Sequence, residues 1–194
     1  MTESGELGMA SGEWKVLGGE SGDCRWRVAI LTADTQTTGS HAEQSEQARK
    51  LLEQLAGFHC TVKHDNAGAP YLTGHDSMHI SLSHCRKAVA AATCHNSEVG
   101  IDIESRRQIP HSLMQRVCTP NELAAIKAAA DPTKAFLQLW TRKEAVLKCR
   151  RTGIRGFESV VSALSDPLVE VHDIDCGSSD IIAAIATSRI QASM

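Results

Sequence analysis

Apolar and polar residues alternate along Val99-Gly100-Ile101-Asp102-Ile103-Glu104, the period of two that a half-buried strand requires. Val99, Ile101 and Ile103 share one face. Asp102 and Glu104 share the other, roughly 7 Å apart at ~3.3 Å per residue, and Gly100 before them leaves room for a close approach. Upstream, Arg25 to Thr32 reads as a strand around Val28-Ala29-Ile30-Leu31. A turn at Thr37-Thr38-Gly39-Ser40 leads to a helix with Ser40 as N-cap, Glu43 three residues on, and an apolar stripe of Ala48, Leu51, Leu52 and Leu55, closed by Gly57. Cys60 to His64 is a short strand, followed by a loop from Asp65 to Pro70. Met78 to His84 alternates again, with Met78, Ile80 and Leu82 on one side, and Lys87 to Cys94 is a small apolar strand that pairs with it.

Beyond the acidic strand come a loop from Ser105 to Pro110 and a helix through Leu113 and Val117. Thr119-Pro120-Asn121-Glu122 is a capping box with Pro at the first helical position, and Asp131-Pro132 begins a longer helix that runs to about Arg151 and stops near Gly153. Three strands are expected after it, Ser159–Ala163, Leu168–Ile174 and Asp180–Ser188. The mixed order predicts an α+β fold, with a loose segment over 1–24, one half over 25–98 and a second over 99–194. Ala88–Cys94 and Ile182–Thr187 are alike, which hints at two related halves.

Composition narrows the function classes. A chain of 194 residues can bury a real core, and 42% hydrophobic content is that of an ordinary water-soluble domain. A net charge of −3 argues against nucleic acid as a bulk electrostatic partner. No apolar run approaches the ~18 residues of a membrane span, and no signal segment opens the chain. The seven cysteines have no paired Cys-x-x-Cys spacing, so free thiols in a reducing cytoplasm are expected. His75, His79, His84, Cys85 and Cys94 likewise lack the paired spacing of a zinc site.

Two acids on one strand face can be a solvated surface. The alternative is a divalent cation, and a third acid favours it. Trp140, Glu144 and Lys148 are spaced by four in the long helix, which places Glu144 within a largely apolar stripe. A Glu–Lys surface pair is the plainer explanation. If strand and helix pack together, Asp102, Glu104 and Glu144 form a three-carboxylate site beside Lys148. Few carboxylates, waters and substrate phosphates are the usual setting of Mg²⁺, which points to chemistry on a phosphate ester or pyrophosphate. Six basic residues between Arg142 and Arg155 form a local concentration that suits an acidic partner, phosphates, or simply a solvated helix end.

Three motifs, Ile80-Ser81-Leu82-Ser83-His84, Val99 to Glu104, and Trp140 to Lys148, resemble in order and spacing those of the Sfp-type 4′-phosphopantetheinyl transferases, as does Arg116 to Glu122 between the second and third. The resemblance runs from about His41 to Gly156. It implies two similar αβ halves related by a pseudo-twofold axis, with coenzyme A between them. It implies transfer of 4′-phosphopantetheine to a serine of an apo acyl or peptidyl carrier protein, with release of adenosine 3′,5′-bisphosphate. By matched position, Asp102, Glu104 and Glu144 hold Mg²⁺, Lys148 neutralises charge, Ser83 and His84 contact coenzyme A phosphates, and Glu144 is the candidate base. The family often has Gly-Lys-Pro where this chain has Gly68-Ala69-Pro70, so Arg49 or Lys63 becomes the candidate for the 3′-phosphate, with weaker coenzyme A affinity or different phosphate contacts expected. Carrier proteins are acidic, which makes Arg106, Arg107, Arg116 and either Arg150 or Arg151 candidate docking residues. Two halves in one chain make a monomer the expected state. A Mg²⁺-dependent phosphatase or pyrophosphatase, and a non-catalytic carrier-binding relative, are the alternatives.

Overall fold

A computed structural model describes residues 3–6, 12–21, 24–33, 40–153 and 157–189. The turn expected at Thr37–Gly39, and Arg155, lie outside them. The fold is α+β. Its first half holds β1 (Glu3–Glu6), β2 (Gly12–Ser21), β3 (Cys24–Ala33), α1 (His41–Ala56), β4 (Val62–His64), β5 (Pro70–Leu72), β6 (Met78–Cys85) and β7 (Ala88–His95). The second holds β8 (Val99–Ser105), α2 (His111–Val117), α3 (Pro120–Ala128), α4 (Pro132–Cys149), α5 (Phe157–Ser162), β9 (Val169–Ile174) and β10 (Ile181–Ser188). The strands form antiparallel sheets in the orders β1-β2-β3-β7-β6 and β8-β10-β9, with β4-β5 as a separate ribbon. From β3 onward each half has a strand, one or more helices and a closing hairpin (β6-β7, β9-β10), and in each set the last strand pairs between the other two.

Alternation sets the layers. Val28, Ile30, Ala90 and Ala92 of the first sheet meet Val99, Ile101, Ile103, Ala183 and Ile185 of the second in a shared core. The opposite face of the first sheet, Ala29, Leu31, Val89 and Ala91, takes the stripe Ala48, Leu51, Leu52 and Leu55 of α1. The opposite face of the second, Ile182, Ala184 and Ala186, takes Leu137, Ala145 and Val146 of α4. Small residues on β7 and β10 suit strands buried on both faces. The capping boxes at Ser40–Glu43 and Thr119–Glu122 are both formed, as the sequence predicts.

Gly100 fixes how α4 lies on β8. A Cβ there would stand 2.0 Å from the Ala145 carbonyl oxygen and 2.4 Å from the Cys149 backbone nitrogen. Strand and helix backbones touch, and neither can swing aside as a long side chain would.

The structure corrects several expectations. Residues 12–21, read as part of a loose segment, form β2, paired with β3 along its whole length. Gly18 and Gly19 lowered the apparent strand signal. Gly19 is needed because a Cβ there would lie 2.4 Å from the Trp26 ring. The strand expected at Ser159–Ala163 is instead α5 and a short 3-10 turn, because Val160 and Ala163, three apart, are the residues that face the core. Cys24 and Cys94 are not free thiols but a disulfide. They sit on neighbouring strands with Trp26 directly opposite Cys94, and both point into the inter-sheet core. Cys60, Cys85, Cys118, Cys149 and Cys176 form no disulfide.

The basic run is not a free charged surface either. Lys143 is fully buried and donates to Glu122 Oε2 (2.8 Å) and the Val117 carbonyl (2.7 Å), which ties α4 to the ends of α2 and α3. Arg142 forks onto Asp173, and Arg150 pairs with Asp166.

Because the obstruction at position 100 is backbone, Gly100→Ala should destabilise the protein by about 3 kcal/mol, the upper end of overpacking costs. Urea denaturation followed by circular dichroism checks this. A loss below about 0.5 kcal/mol, the range of ordinary surface substitutions, would show that α4 slides off β8 at no cost.

Candidate active site

The site grows from two strands and one helix. On β6, Met78, Ile80 and Leu82 pack toward α1, so Ser81 and Ser83 face the second half. Their hydroxyls accept hydrogen bonds from the backbone N–H of Ile101 (3.1 Å) and Ile103 (3.3 Å) on the edge of β8 that β10 leaves unpaired. Polar side chains thereby satisfy a strand edge that is buried between the halves.

Asp102, only 7% exposed, projects beside them. Ser83 Oγ donates to its Oδ1 (3.0 Å). Lys148 comes from the last turn of α4 and donates to Asp102 Oδ1 (2.7 Å), Ser83 Oγ (2.9 Å) and the Ile101 carbonyl (3.0 Å), which uses all three ammonium protons. Eight residues earlier on α4, Trp140 Nε1 donates to Glu104 Oε1 (3.0 Å), and Arg107 also donates to that oxygen (3.2 Å). The helix thus runs antiparallel to β8 and pins both acids, with Glu144 midway along the same face.

Charge accumulates between these pins. Asp102 Oδ2 and Glu144 Oε1 are buried and have no hydrogen-bond partner. Burial pushes the Glu144 carboxyl up to about 7, and repulsion from Asp102 outweighs the opposing pull of Lys148. Glu104 is also raised, mainly by burial and against the pull of Arg107. His84 packs edge-on against His41 at 4.8 Å between ring centres, and burial, then His41 and Lys148, hold its pKa down, so its ring is favoured in the neutral form.

The structure thus places Ser83, Asp102 and Lys148 in one hydrogen-bonded cluster, with Glu104 and Glu144 close enough to couple electrostatically. It does not gather the three acids around a point: among the described residues, no group of three or more His, Cys, Asp or Glu side chains converges as a metal centre. Asp102 Oδ1 is committed to Lys148 and Ser83, and Glu104 Oε1 to Trp140 and Arg107. The two orphaned oxygens nevertheless fit a divalent cation in charge and donor type, since buried carboxylates without partners favour a positive neighbour.

Beside the cluster lies a cavity of about 260 Å³ at the seam of the halves. The first half contributes His64, the loop Ala67 to Pro70, and Ile80 to Leu82. The second contributes Val99, Lys148, Arg151 and Gly153. Arg49 is not part of that lining; it sits on α1 and pairs with Glu46. Lys63 is exposed on β4 and also lies outside the lining. The arginines considered for docking are already engaged: Arg106 forks onto Asp131, Arg107 meets Glu104, Arg116 lies over the Phe157 ring, and Arg151 binds Asp65. The partnerships of Arg151 with Asp65 and of Trp140 with Glu104 had no local signal, because the paired residues are 86 and 36 positions apart.

Residues 98–190 match the family model of the 4′-phosphopantetheinyl transferase superfamily. The matched stretch contains Asp102, Glu104, Glu144 and Lys148, and reaches from before β8 to beyond β10. That stretch, 93 of the 194 residues, is therefore similar to the superfamily's domain, and the activity the similarity suggests is phosphopantetheine transfer. No curated protein gives a significant match to the chain. No described helix is long and apolar enough to cross a membrane.

The Glu144 shift has a signed consequence. The folded state holds this proton more tightly than the unfolded chain, whose carboxyl has its ordinary value of 4.5. Its contribution to stability is complete below about 4.5 and is lost as pH rises through about 7. Glu144→Gln cannot lose it. Without divalent cations, the melting temperature of the variant should gain on that of the native chain between about pH 5 and 8. Thermal scans across that range decide the point, and parallel curves would mean that Glu144 is not desolvated.

Proposed function

We propose that the chain transfers the 4′-phosphopantetheine group of coenzyme A to a serine hydroxyl of an acidic apo carrier protein. The observation that carries this reading is the match of residues 98–190 to the superfamily model, a stretch in which Lys148 both pairs with Asp102 and lines the cavity between the halves. The repeated strand–helix–hairpin order supports a pseudo-twofold relation of the halves. The cavity accepts coenzyme A, with its pyrophosphate toward Lys148 and its remainder along the loop from Ala67 to Pro70.

Asp102, Glu104 and Glu144 are the residues that would hold Mg²⁺, and a bound divalent cation would withdraw charge from the pyrophosphate. Asp102 is oriented by Ser83 and Lys148. Glu104 is oriented by Trp140 and Arg107. Glu144 accepts the proton of the attacking serine, and its Oε1, buried with no hydrogen-bond partner, is free to take it. The serine oxygen forms a bond to the β-phosphorus, and the bond from that phosphorus to the bridging oxygen breaks. The electron pair leaves on adenosine 3′,5′-bisphosphate. Lys148 stabilises that charge through its field rather than through a free donor, since its three protons are already engaged. His84, disfavoured as a cation, contacts phosphate as a neutral donor.

Mass spectrometry of an apo carrier protein, incubated with the chain, coenzyme A and Mg²⁺, tests the reading. A phosphopantetheine-sized increase is expected, with rates lowered about a hundredfold or more in Asp102→Ala and Glu144→Ala. Phosphate release with no change in carrier mass, across several carriers, would replace the transferase with a hydrolase.

A further inference from the structure

The loop that walls the cavity is shaped by one carboxylate. Asp65 Oδ1 accepts from the backbone N–H of Ala67 and Ala69, both at 2.9 Å, and the Asp65 N–H donates to the Ala69 carbonyl at 3.0 Å. The other oxygen, Oδ2, faces the second half. There it accepts from Arg151 Nη2 (2.9 Å) and Nε (3.3 Å), while Arg151 Nη1 reaches the Pro70 carbonyl (3.4 Å). Glu98, in the link between the halves, stands 3.6 Å from the same guanidinium. Both ends of the loop are thus bound by one side chain from just beyond α4.

Arg151 holds this place at a cost. Its φ is 54°, in the left-handed region that a β-carbon disfavours and glycine accepts at a helix end. A strained residue persists where surrounding contacts over-determine it, and here those contacts lead to the cavity wall. Lys148 lies three residues before Arg151 and lines the same cavity. Arg151 therefore couples the loop to the helix that carries the charged cluster.

We infer that Arg151 is a positioning residue for the donor substrate: clamping Asp65 and Pro70, it holds the loop from Asp65 to Pro70 at the spacing that coenzyme A requires. This rests on the donor reading above and adds to it the residue that sets donor affinity. The guanidinium is neutralised by Asp65 and flanked by Glu98, so it acts through the loop rather than as a phosphate ligand. Chemistry at Glu144 and recognition of the carrier are left untouched by the clamp.

Glycine at 151 removes the clamp while relieving the backbone, so Arg151→Gly separates positioning from folding. In calorimetric titration of the full chain with coenzyme A and Mg²⁺, the dissociation constant should rise about tenfold, as a small misplacement of a binding wall permits. The KM for coenzyme A should rise in parallel, with kcat and the KM for carrier within about twofold of native. Hydrogen exchange at Ala67 and Ala69 should quicken, and Asp65→Asn should reproduce all these effects. Arg151→Lys, which keeps one donor for Asp65, should recover part of the affinity. Unchanged coenzyme A affinity in Arg151→Gly, or a fall in kcat with KM unchanged, would overturn the clamp. A native chain that binds coenzyme A but modifies no carrier would sink the transferase reading and leave the clamp standing on calorimetry; one that binds no coenzyme A would sink the clamp as well.

Discussion

The approach of α4 to β8 is the contact on which the rest of the molecule depends. Gly100 lets the two backbones meet, so that residues on the helix stand directly over residues on the strand. At ordinary helix–sheet separation a lysine and a tryptophan eight residues apart would reach different parts of the surface. Held this close, Lys148 falls on Asp102 and Trp140 on Glu104. The inter-sheet core supports the strand from its other face, through Val99, Ile101 and Ile103. The backbone that carries the acids is thereby set by packing that contains no charge, and the hydrogen bonds from Lys148 and Trp140 then orient their side chains.

That division explains why so unfavourable an electrostatic arrangement persists. Three carboxylates share a mostly buried face with a single close lysine, and desolvation penalises each charge that is not compensated. Lys148 compensates Asp102. Arg107 offsets part of the burden on Glu104, and Glu144 is left to hold its proton up to about pH 7. A site built for stability would have put an apolar residue at 144. A carboxyl there with an oxygen bound to nothing is a capacity the fold does not use for itself. The contrast with Lys143, its neighbour on α4, is instructive. Lys143 is more deeply buried, yet Glu122 and two backbone carbonyls occupy its donors, and it serves to join helices. Burial alone does not separate the two roles; satisfaction of hydrogen bonding does.

Local patterns were legible in proportion to how much of their cause is local. The Ser40 and Thr119 capping boxes depend on residues three apart and formed as the sequence predicts. The strand at Val99 and the spacing of Trp140, Glu144 and Lys148 follow from period alone, and they carried both the acidic cluster and the family resemblance. Expectations failed where a distant partner decides the outcome. Gly18 and Gly19 weaken a strand in isolation, but β3 supplies its partner and the Trp26 ring requires the missing side chain. The basic residues after Arg142 looked like a free patch because Asp173, Asp166 and Asp65, which neutralise them, lie 16 to 86 positions away. Ser159 to Ala163 is short enough for either period, and the core around Val160 settled it.

The serines of β6 show how tertiary structure can give an ordinary alternation its meaning. Ser81 and Ser83 are merely the polar positions of a half-buried strand until β8 is brought alongside. Their hydroxyls then do for β8 what a neighbouring backbone would do, accepting from Ile101 and Ile103 without forming a ladder. A backbone ladder would have fused the two sheets into one and closed the seam. Side-chain bridging leaves the sheets distinct and keeps the Asp102 and Lys148 side chains within reach of Ser83. It also consumes the Ser83 hydroxyl, which gives one hydrogen bond to Asp102 and receives two, from Ile103 and Lys148. A hydroxyl has one proton and two lone pairs, so none remains for a phosphate unless one of these bonds breaks. In the described state Ser83 acts on a substrate through Asp102 and Lys148, and the seam of the fold and the orientation of the site are one set of hydrogen bonds.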